Sequence, residues 1–391
     1  MTTFRLLETR ELTDAAQLSN SVFRPDIQPT MADMFPRLFA PGVIQSYGAF
    51  TEEGTLAAFM GLAPSTLRIG GAASLRAFSM GSVLTAPEHR GAGLAGELLN
   101  LCIAHTQKAE APLLFISGER SLYTRAGSAY FGRAAKAILR RSIDASSAAT
   151  DSSVPAQPSV RLRLAEPQDL LHVHHLHELN DTRFEESAAG LGELLGAAAY
   201  CNVLGLAQLT VVAENQNGLA AYAVIGVPHP IRSALQSSSM PSSEIQPETS
   251  NPATVISYGG DAQNTANLIH ALPDFCRLDE LHVEIPWQDQ ALETLLEQKG
   301  AELQSIRNGG TLLVTDIRLM LEQAYDLWPL PWEEALRVDA DGRVFATTSN
   351  RELSRTEWYG TLFDPNYPRP GDIPIWFDPI PLPNPYGLHY I

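Results

Sequence analysis

A chain of 391 residues exceeds what one hydrophobic core usually supports, so its length points to two domains, or to two and a small appendage. The composition, 45% hydrophobic and 18% charged, is that of an ordinary globular protein, and no apolar run approaches the length of a transmembrane helix. The formal net charge of −17 argues against sequence-independent nucleic-acid binding, which needs clustered Lys and Arg on phosphates, and no membrane partner is expected either.

In chain order, residues 4–7 read as a first strand, and Thr13 and Asp14 cap an amphipathic segment that runs to Phe23 and is stopped by Pro25. Residues 43–51 and 55–63, joined at Glu53 and Gly54, read as a hairpin. A turn at Gly70 and Gly71 leads into a strand over 77–85, which ends in a polar, glycine-rich turn. A helix follows with Leu94, Leu98, Leu101 and Cys102 on one face. Residues 112–117 form a short apolar strand, and a further helix begins at 121–125. This order predicts an α/β (α+β) mixed sheet.

Residues 146–159, rich in Ser, Ala and Pro, read as a linker, and after it the order restarts. Residues 160–164 and the Pro167-Gln168-Asp169 turn echo the start of the chain, and 218–228 echo 54–64. A repeat at this spacing predicts two copies of one fold. The resulting domains are 1–145, 160–318 and a short Pro-rich C-terminal region, 319–391, that docks on the other two. Residues 236–254, dense in Ser and Pro, are expected as a mobile surface loop.

The N-terminal residues carry neither the basic head nor the apolar stretch of a signal peptide, so a cytoplasmic location is expected. Cys102, Cys201 and Cys276, three and widely spaced, suit buried thiols in a reducing compartment better than a disulfide frame or a zinc site. His172, His174, His175 and His177 could share faces of one helix, but with no Cys or acidic partner fixed beside them they read as partly exposed polar positions, and no metal is expected. The acidic surface could steer a cationic substrate or simply keep the chain in solution.

The informative segment is residues 83–96, Val83-Leu84-Thr85 and then Arg90-Gly91-Ala92-Gly93-Leu94-Ala95-Gly96. A strand ends, a turn with an arginine and glycines follows, and a helix starts at once. Its unpaired backbone N–H groups and positive dipole end make an anion site for a pyrophosphate. Glycine lets the backbone approach the phosphates closely, although such a turn also fits a plain tight connection. No Gly-Lys-Ser/Thr follows, so it is not a nucleotide P-loop, and the third glycine is misplaced for a dinucleotide fingerprint.

The spacing of Arg90, Gly93 and Ala95 after the Val83 strand and Pro87 resembles the acyl-CoA signature of the GCN5-related N-acetyltransferase (GNAT) superfamily: Arg or Gln, two residues, Gly, one residue, Gly or Ala. Residues 112–117, then Gly118 and Leu122-Tyr123-Thr124-Arg125-Ala126-Gly127, resemble that superfamily's strand followed by Leu-Tyr-x-x-x-Gly. The resemblance implies that acetyl-CoA, as co-substrate, lies along Val83, Leu84, Thr85, the 90–96 loop, Ser117 and Gly118. It also implies that the Val83 strand splays from its neighbour and stabilises an oxyanion, and that Tyr123 protonates the leaving thiolate as general acid. Without it, Tyr123 reads as an amphipathic packing residue and Arg90 as a surface ion-pair partner. Arg120 and Arg125 read as solvated helix charges, with contact to the nucleotide portion as the alternative.

In the second copy, Gly259-Gly260-Asp261 follows the strand 255–258 with no arginine, and aligning Gly300 with Gly127 puts Leu296 where Tyr123 stands. That copy reads as degenerate, a partner that shapes the substrate cleft. Such a duplication with a tail resembles the enhanced-intracellular-survival (Eis-like) acetyltransferases, in which the terminal carboxylate enters the first domain's active site as general base. Here that carboxylate belongs to Ile391. The tail, stiffened by proline and ending in aromatics, either delivers it near Tyr123 or merely covers an interdomain groove.

The function implied is N-acetyl transfer to a primary amine of a small molecule or peptide, by direct attack, in a chain that could homo-oligomerise as related enzymes do. The competing class is a non-catalytic CoA-binding sensor or interaction protein. Residues 23–39 would line the acceptor pocket, with Asp26 as either an amine ligand or a turn residue.

Overall fold

The computed structural model describes residues 2–141, 160–237 and 251–391. The expected linker, 146–159, and most of the expected surface loop, 236–254, lie outside the described residues. Among the described residues, no helix is long and apolar enough to cross a membrane.

The chain begins with β1 (Thr3–Leu6), α1 (Leu12–Phe23), α2 (Met31–Met34), α3 (Pro36–Phe39) and β2 (Tyr47–Phe50), followed by the long hairpin β3 (Leu56–Ile69) and β4 (Ala73–Thr85). Next come α4 (Leu94–Lys108), β5 (Leu113–Ile116), α5 (Ser121–Ala126) and β6 (Arg133–Arg140). The middle of the chain supplies β7 (Arg161–Leu164), α6 (Leu170–Glu178), β8 (Arg183–Phe184), α7 (Ala188–Ala197), α8 (Ala199–Val203), β9 (Ala207–Asn215), β10 (Gly218–Val227) and α9 (His229–Ser237). Then follow β11 (Ala253–Gly260), α10 (Ala262–Cys276), β12 (Glu280–Pro286), α11 (Gln290–Gln298), β13 (Glu302–Arg307) and β14 (Thr311–Val314). The C-terminal region holds α12 (Ile317–Gln323), β15 (Leu336–Val338), β16 (Val344–Ala346), β17 (Arg351–Leu353) and α13 (Arg355–Phe363).

Local sequence explains the elements that matter for the site. Helix α1 buries Leu12, Ala15, Ala16 and Ser19, one face at helical spacing; Thr13 and Asp14, expected as its cap, lie inside its first turn behind a Glu11 N-cap. Gly70 and Gly71, with φ of +55° and +67°, form the β3–β4 turn that side chains with a Cβ rarely adopt.

The strands form two seven-stranded sheets and one of three strands. The first runs β1-β2-β3-β4-β5-β14 with β8 added on β3; the second runs β7-β9-β10-β11-β12-β6-β13. In each, one parallel pair, β4 with β5 or β11 with β12, sits among antiparallel neighbours. The two orders match strand for strand through five positions, so the chain is a tandem of one mixed α/β fold. At the sixth position they exchange: β6 pairs with β12, and β14 pairs with β5.

That exchange makes the compact units differ from the divisions expected at 145, 160 and 318. The first unit comprises residues 1–132, 181–185 and 307–391; the second comprises 133–180 and 186–306. The first unit's sheet is buried on both faces. Leu75, Ala77, Leu113, Phe115 and Leu312 of β14 pack with the C-terminal region's Met320, Leu362, Phe377 and Ile380. The alternating residues Phe78, Met80, Leu114 and Ile116 pack with Leu94, Leu98 and Tyr123. The second unit builds its own core from residues such as Val211, Ile225, Leu272, Val283 and Leu296.

Candidate active site

The site lies in the first unit, where β4 and β5 part. Their parallel pairing runs from Ala77 with Leu113 to Met80 with Ile116 and stops there, while β4 continues to Thr85 along β3. Beyond the last pair, Gly81 on one side and Ser117 on the other begin an open V. The β3 partner of Leu84 is Phe59, but that of Gly81 is Gly61, so Ser82 and Val83 bulge out of the ladder opposite Met60. Ser82 takes a left-handed conformation with φ of +49°, which costs a residue with a Cβ, and its buried hydroxyl has no hydrogen-bond partner among the described residues. No feature of the sequence marks Ser82; only pairing register exposes it.

The glycine-rich loop stands at the end of β4. Gly91 and Gly93 have φ of +82° and +76°, so glycine is demanded by backbone conformation. Gly93 is the N-cap of α4 and offers no side chain to its amides; the N–H groups of residues 91–95 have no backbone acceptor among the described residues. Arg90 is exposed, forms no ion pair among the described residues and reaches only the Thr85 carbonyl, at 3.4 Å. A Cβ built on Gly91, Gly93 or Gly96 would meet nothing within 4 Å, so the space over this edge is open. These groups fit a pyrophosphate.

Gly96 is the informative one. It lies inside α4 without a left-handed φ and without a neighbour that excludes a methyl group, so nothing in the protein itself calls for glycine there. Gly96→Ala is expected to stabilise the fold by about 0.5–1 kcal/mol and to weaken acyl-CoA binding. Thermal unfolding and CoA titration of one variant measure both; a higher Tm with unchanged affinity would remove Gly96 from the binding surface.

Tyr123 lies in the first turn of α5, 6% exposed, with its ring against Gly118. Burial raises its pKa above the usual tyrosine value, with Arg120 pulling weakly the other way. Its hydroxyl has no protein hydrogen-bond partner among the described residues. Gly118 also accepts a hydrogen bond at its carbonyl from the Thr311 hydroxyl, 3.0 Å away on β14.

The tail reaches the same place. Ile380, Leu382 and Leu388 are buried, so the last residues are packed rather than solvated. The Tyr386 ring fills a notch over Gly309, where a Cβ would collide with it, and lies beside Gly310, 3.3 Å from where a Cβ would stand. Tyr390 is hydrogen-bonded to Ser117 and lies near the Phe35 and Tyr386 rings, at 6.3 and 5.3 Å. Ile391 rests on Gly81: a Cβ there would stand 2.6 Å from its carboxyl carbon and 2.9 Å from a terminal oxygen. The last two residues thus straddle the V, and the carboxylate forms no ion pair among the described residues. Ser117, expected at the cofactor, is held by the tail. Asp26, in a left-handed turn with φ of +59°, is exposed, and the 23–39 segment folds into α2 and α3.

The second unit repeats the parting of strands and closes it. The β11–β12 pairing stops at Val255 with Val283, and Tyr258 on the free stretch of β11 donates to Asp289, 2.6 Å away. Helix α10 is capped by Asp261, whose carboxylate accepts from the Asn264 amide at 2.9 Å, so its positive end already holds an anion. Leu296, aligned with Tyr123, is wholly buried. On α6, His177 meets the Tyr222 hydroxyl at 3.1 Å and His174 the Glu186 carbonyl at 2.8 Å. Among the described residues, no group of three or more His, Cys, Asp or Glu is arranged to hold a metal.

Residues 3–131 match the family model described as acetyltransferase (GNAT) domain. No curated protein matches the chain. Its fold is similar to that of a GCN5-related N-acetyltransferase from Anabaena variabilis, with a TM-score of 0.64 and 13% identity over 94% of this chain and 92% of that one. Eis1 from Mycobacterium abscessus is similar too, with a TM-score of 0.58 and 13% identity over 90% and 84% of the two chains. A probable N-acyltransferase from Enterococcus faecalis aligns with a TM-score of 0.59 and 13% identity over 83% and 75%. At these identities the likeness is one of fold, and it extends across both copies.

Proposed function

We infer that this chain, an Eis-like member of the GNAT acyltransferases, moves acetyl from acetyl-CoA to a primary amine by direct attack. The observation that carries the reading is the end of the chain: the Ile391 carboxylate lies against Gly81, where β4 parts from β5. The open loop of residues 90–96 suits the pyrophosphate at one end of that cleft, and Tyr123, buried and protonated at neutral pH, suits proton donation.

In this reading the amine nitrogen attacks the thioester carbonyl carbon and gives a proton to the Ile391 carboxylate. The β4 amide at Val83, in the bulge, stabilises the oxyanion. Collapse breaks the carbon–sulfur bond, and the departing thiolate takes the Tyr123 proton, leaving an N-acetyl amine and free CoA. A cationic small molecule or peptide suits the net charge of −17.

The test is release of free CoA thiol from acetyl-CoA across a panel of amines, with longer acyl-CoAs in parallel, for the intact chain and for one lacking Ile391. Amine-dependent release that falls about 100-fold or more on deletion supports the base. CoA binding with no release for any amine would instead make this a CoA-binding sensor, and a preference for longer chains would change the donor.

A further inference from the structure

Resting on that reading, we propose that Phe184 and His389 are positioning residues that fix the Ile391 carboxylate in the active site. The five residues 181–185 come from between α6 and α7, yet they belong to the first unit. They are fastened along the β3–β4 hairpin. The Gly71 amide donates to the Asp181 carbonyl at 2.8 Å, the Gly70 amide to the Thr182 hydroxyl at 3.1 Å, and the Glu185 amide to the Thr66 carbonyl at 2.8 Å. Arg183 and Phe184 pair with Arg68 and Leu67 as strand β8.

Phe184 is anchored by this pairing and by the Phe115 ring, 5.7 Å away, and is 3% exposed. His389 stacks on it, with ring centroids 4.4 Å apart and planes 16° from parallel. His389 is two residues from the carboxylate. A turn in which the Tyr390 amide donates to the Gly387 carbonyl at 3.2 Å leads the chain from the Tyr386 notch past Phe184 to Gly81. The Tyr386 notch and the Tyr390–Ser117 hydrogen bond hold the tail on one side; the stack on Phe184 holds the other. A displacement of about 1 Å in a catalytic group costs on the order of 100-fold in rate, so loss of the stack two residues from the carboxylate would leave the base poorly aimed. A segment that follows the first helix of the second copy thereby serves catalysis in the first.

The experiment compares His389→Ala, His389→Phe, Phe184→Ala and deletion of Ile391 by kcat, KM for acetyl-CoA and Tm. His389→Ala is expected to lower kcat about 10- to 100-fold with KM unchanged, and His389→Phe, which keeps a stacked ring, to restore most of it. Phe184→Ala should match His389→Ala in kcat; because it also opens a core position, its Tm will fall, and His389→Ala, at a partly exposed residue, separates aim from stability. If deletion of Ile391 leaves turnover intact, the carboxylate reading fails. If deletion abolishes turnover while His389→Ala retains the wild-type kcat, the base stands and the positioning role is overturned.

Discussion

Tyr123→Phe is expected to lower kcat about 100- to 10,000-fold while leaving CoA affinity and Tm nearly unchanged. The variant loses one oxygen and keeps the ring that packs with Leu94, Leu98, Ile116 and Leu313. No protein hydrogen bond goes with it, since the hydroxyl has no partner among the described residues. Burial raises its pKa above the ordinary tyrosine value, which suits the proposed role of proton donor. The phenol is therefore the proton-bearing form at neutral pH, and in the wild type the alkaline fall in kcat from this group is expected at a higher pH than an ordinary tyrosine would give. The same shift has a stability side. The preference of the fold for neutral Tyr123 is fully present below the unfolded tyrosine's pKa and is lost as pH rises through the folded one. Steady-state kinetics and a pH profile read both; a Tyr123→Phe enzyme with wild-type kcat would return Tyr123 to the packing role its place in the core also allows.

What the sequence made legible was whatever local periodicity and local backbone chemistry determine. The strand ending at Thr85, the glycine loop and the helix carrying Leu94, Leu98 and Cys102 are where apolar spacing and Gly91 and Gly93 put them, because a turn requiring positive φ before an amphipathic run leaves few alternatives. The duplication was legible for the same reason. The partners of β5 and β12 were not: nothing in the local sequence of β6, which mixes alanines and aliphatics with Arg133, Lys136 and Arg140, or of the short β14 says which sheet edge each will cover. Nor did the sequence expose Ser82, whose left-handed backbone depends on register between β3 and β4, or Phe184, whose ring meets a histidine 205 positions further on. The tail lay between. Its prolines and aromatics announced that it docks, but not that the dock is made by Gly309, Gly310, Ser117 and Gly81, four residues with little or no side chain.

A chain ending at residue 145 is expected to be insoluble or molten and without acetyltransferase activity, although it holds the whole acyl-CoA signature. Without β14, β5 becomes an open edge, with its pairings from Thr311 with Ile116 to Val314 with Leu113 gone. The Gln107 side chain loses the Thr315 carbonyl, and the Arg76 amide loses Gln323. The larger loss is one whole face of the sheet. Leu67, Leu75, Leu113 and Phe115, each no more than 2% exposed, would face water without Leu312, Met320, Leu336, Leu362, Phe363 and Phe377. Fully burying one such side chain contributes roughly 1.5–3 kcal/mol, so losing the cover from four of them rivals the whole stability of an ordinary domain, about 5–15 kcal/mol. Residues 133–140 would be stranded as well, since β12 is their partner. Size-exclusion chromatography and near-UV circular dichroism of the 1–145 chain test this directly. A monomer with a cooperative transition near that of the full chain would mean that the C-terminal region covers a sheet already stable alone. In that case the tail's importance would reduce to the delivery of Ile391.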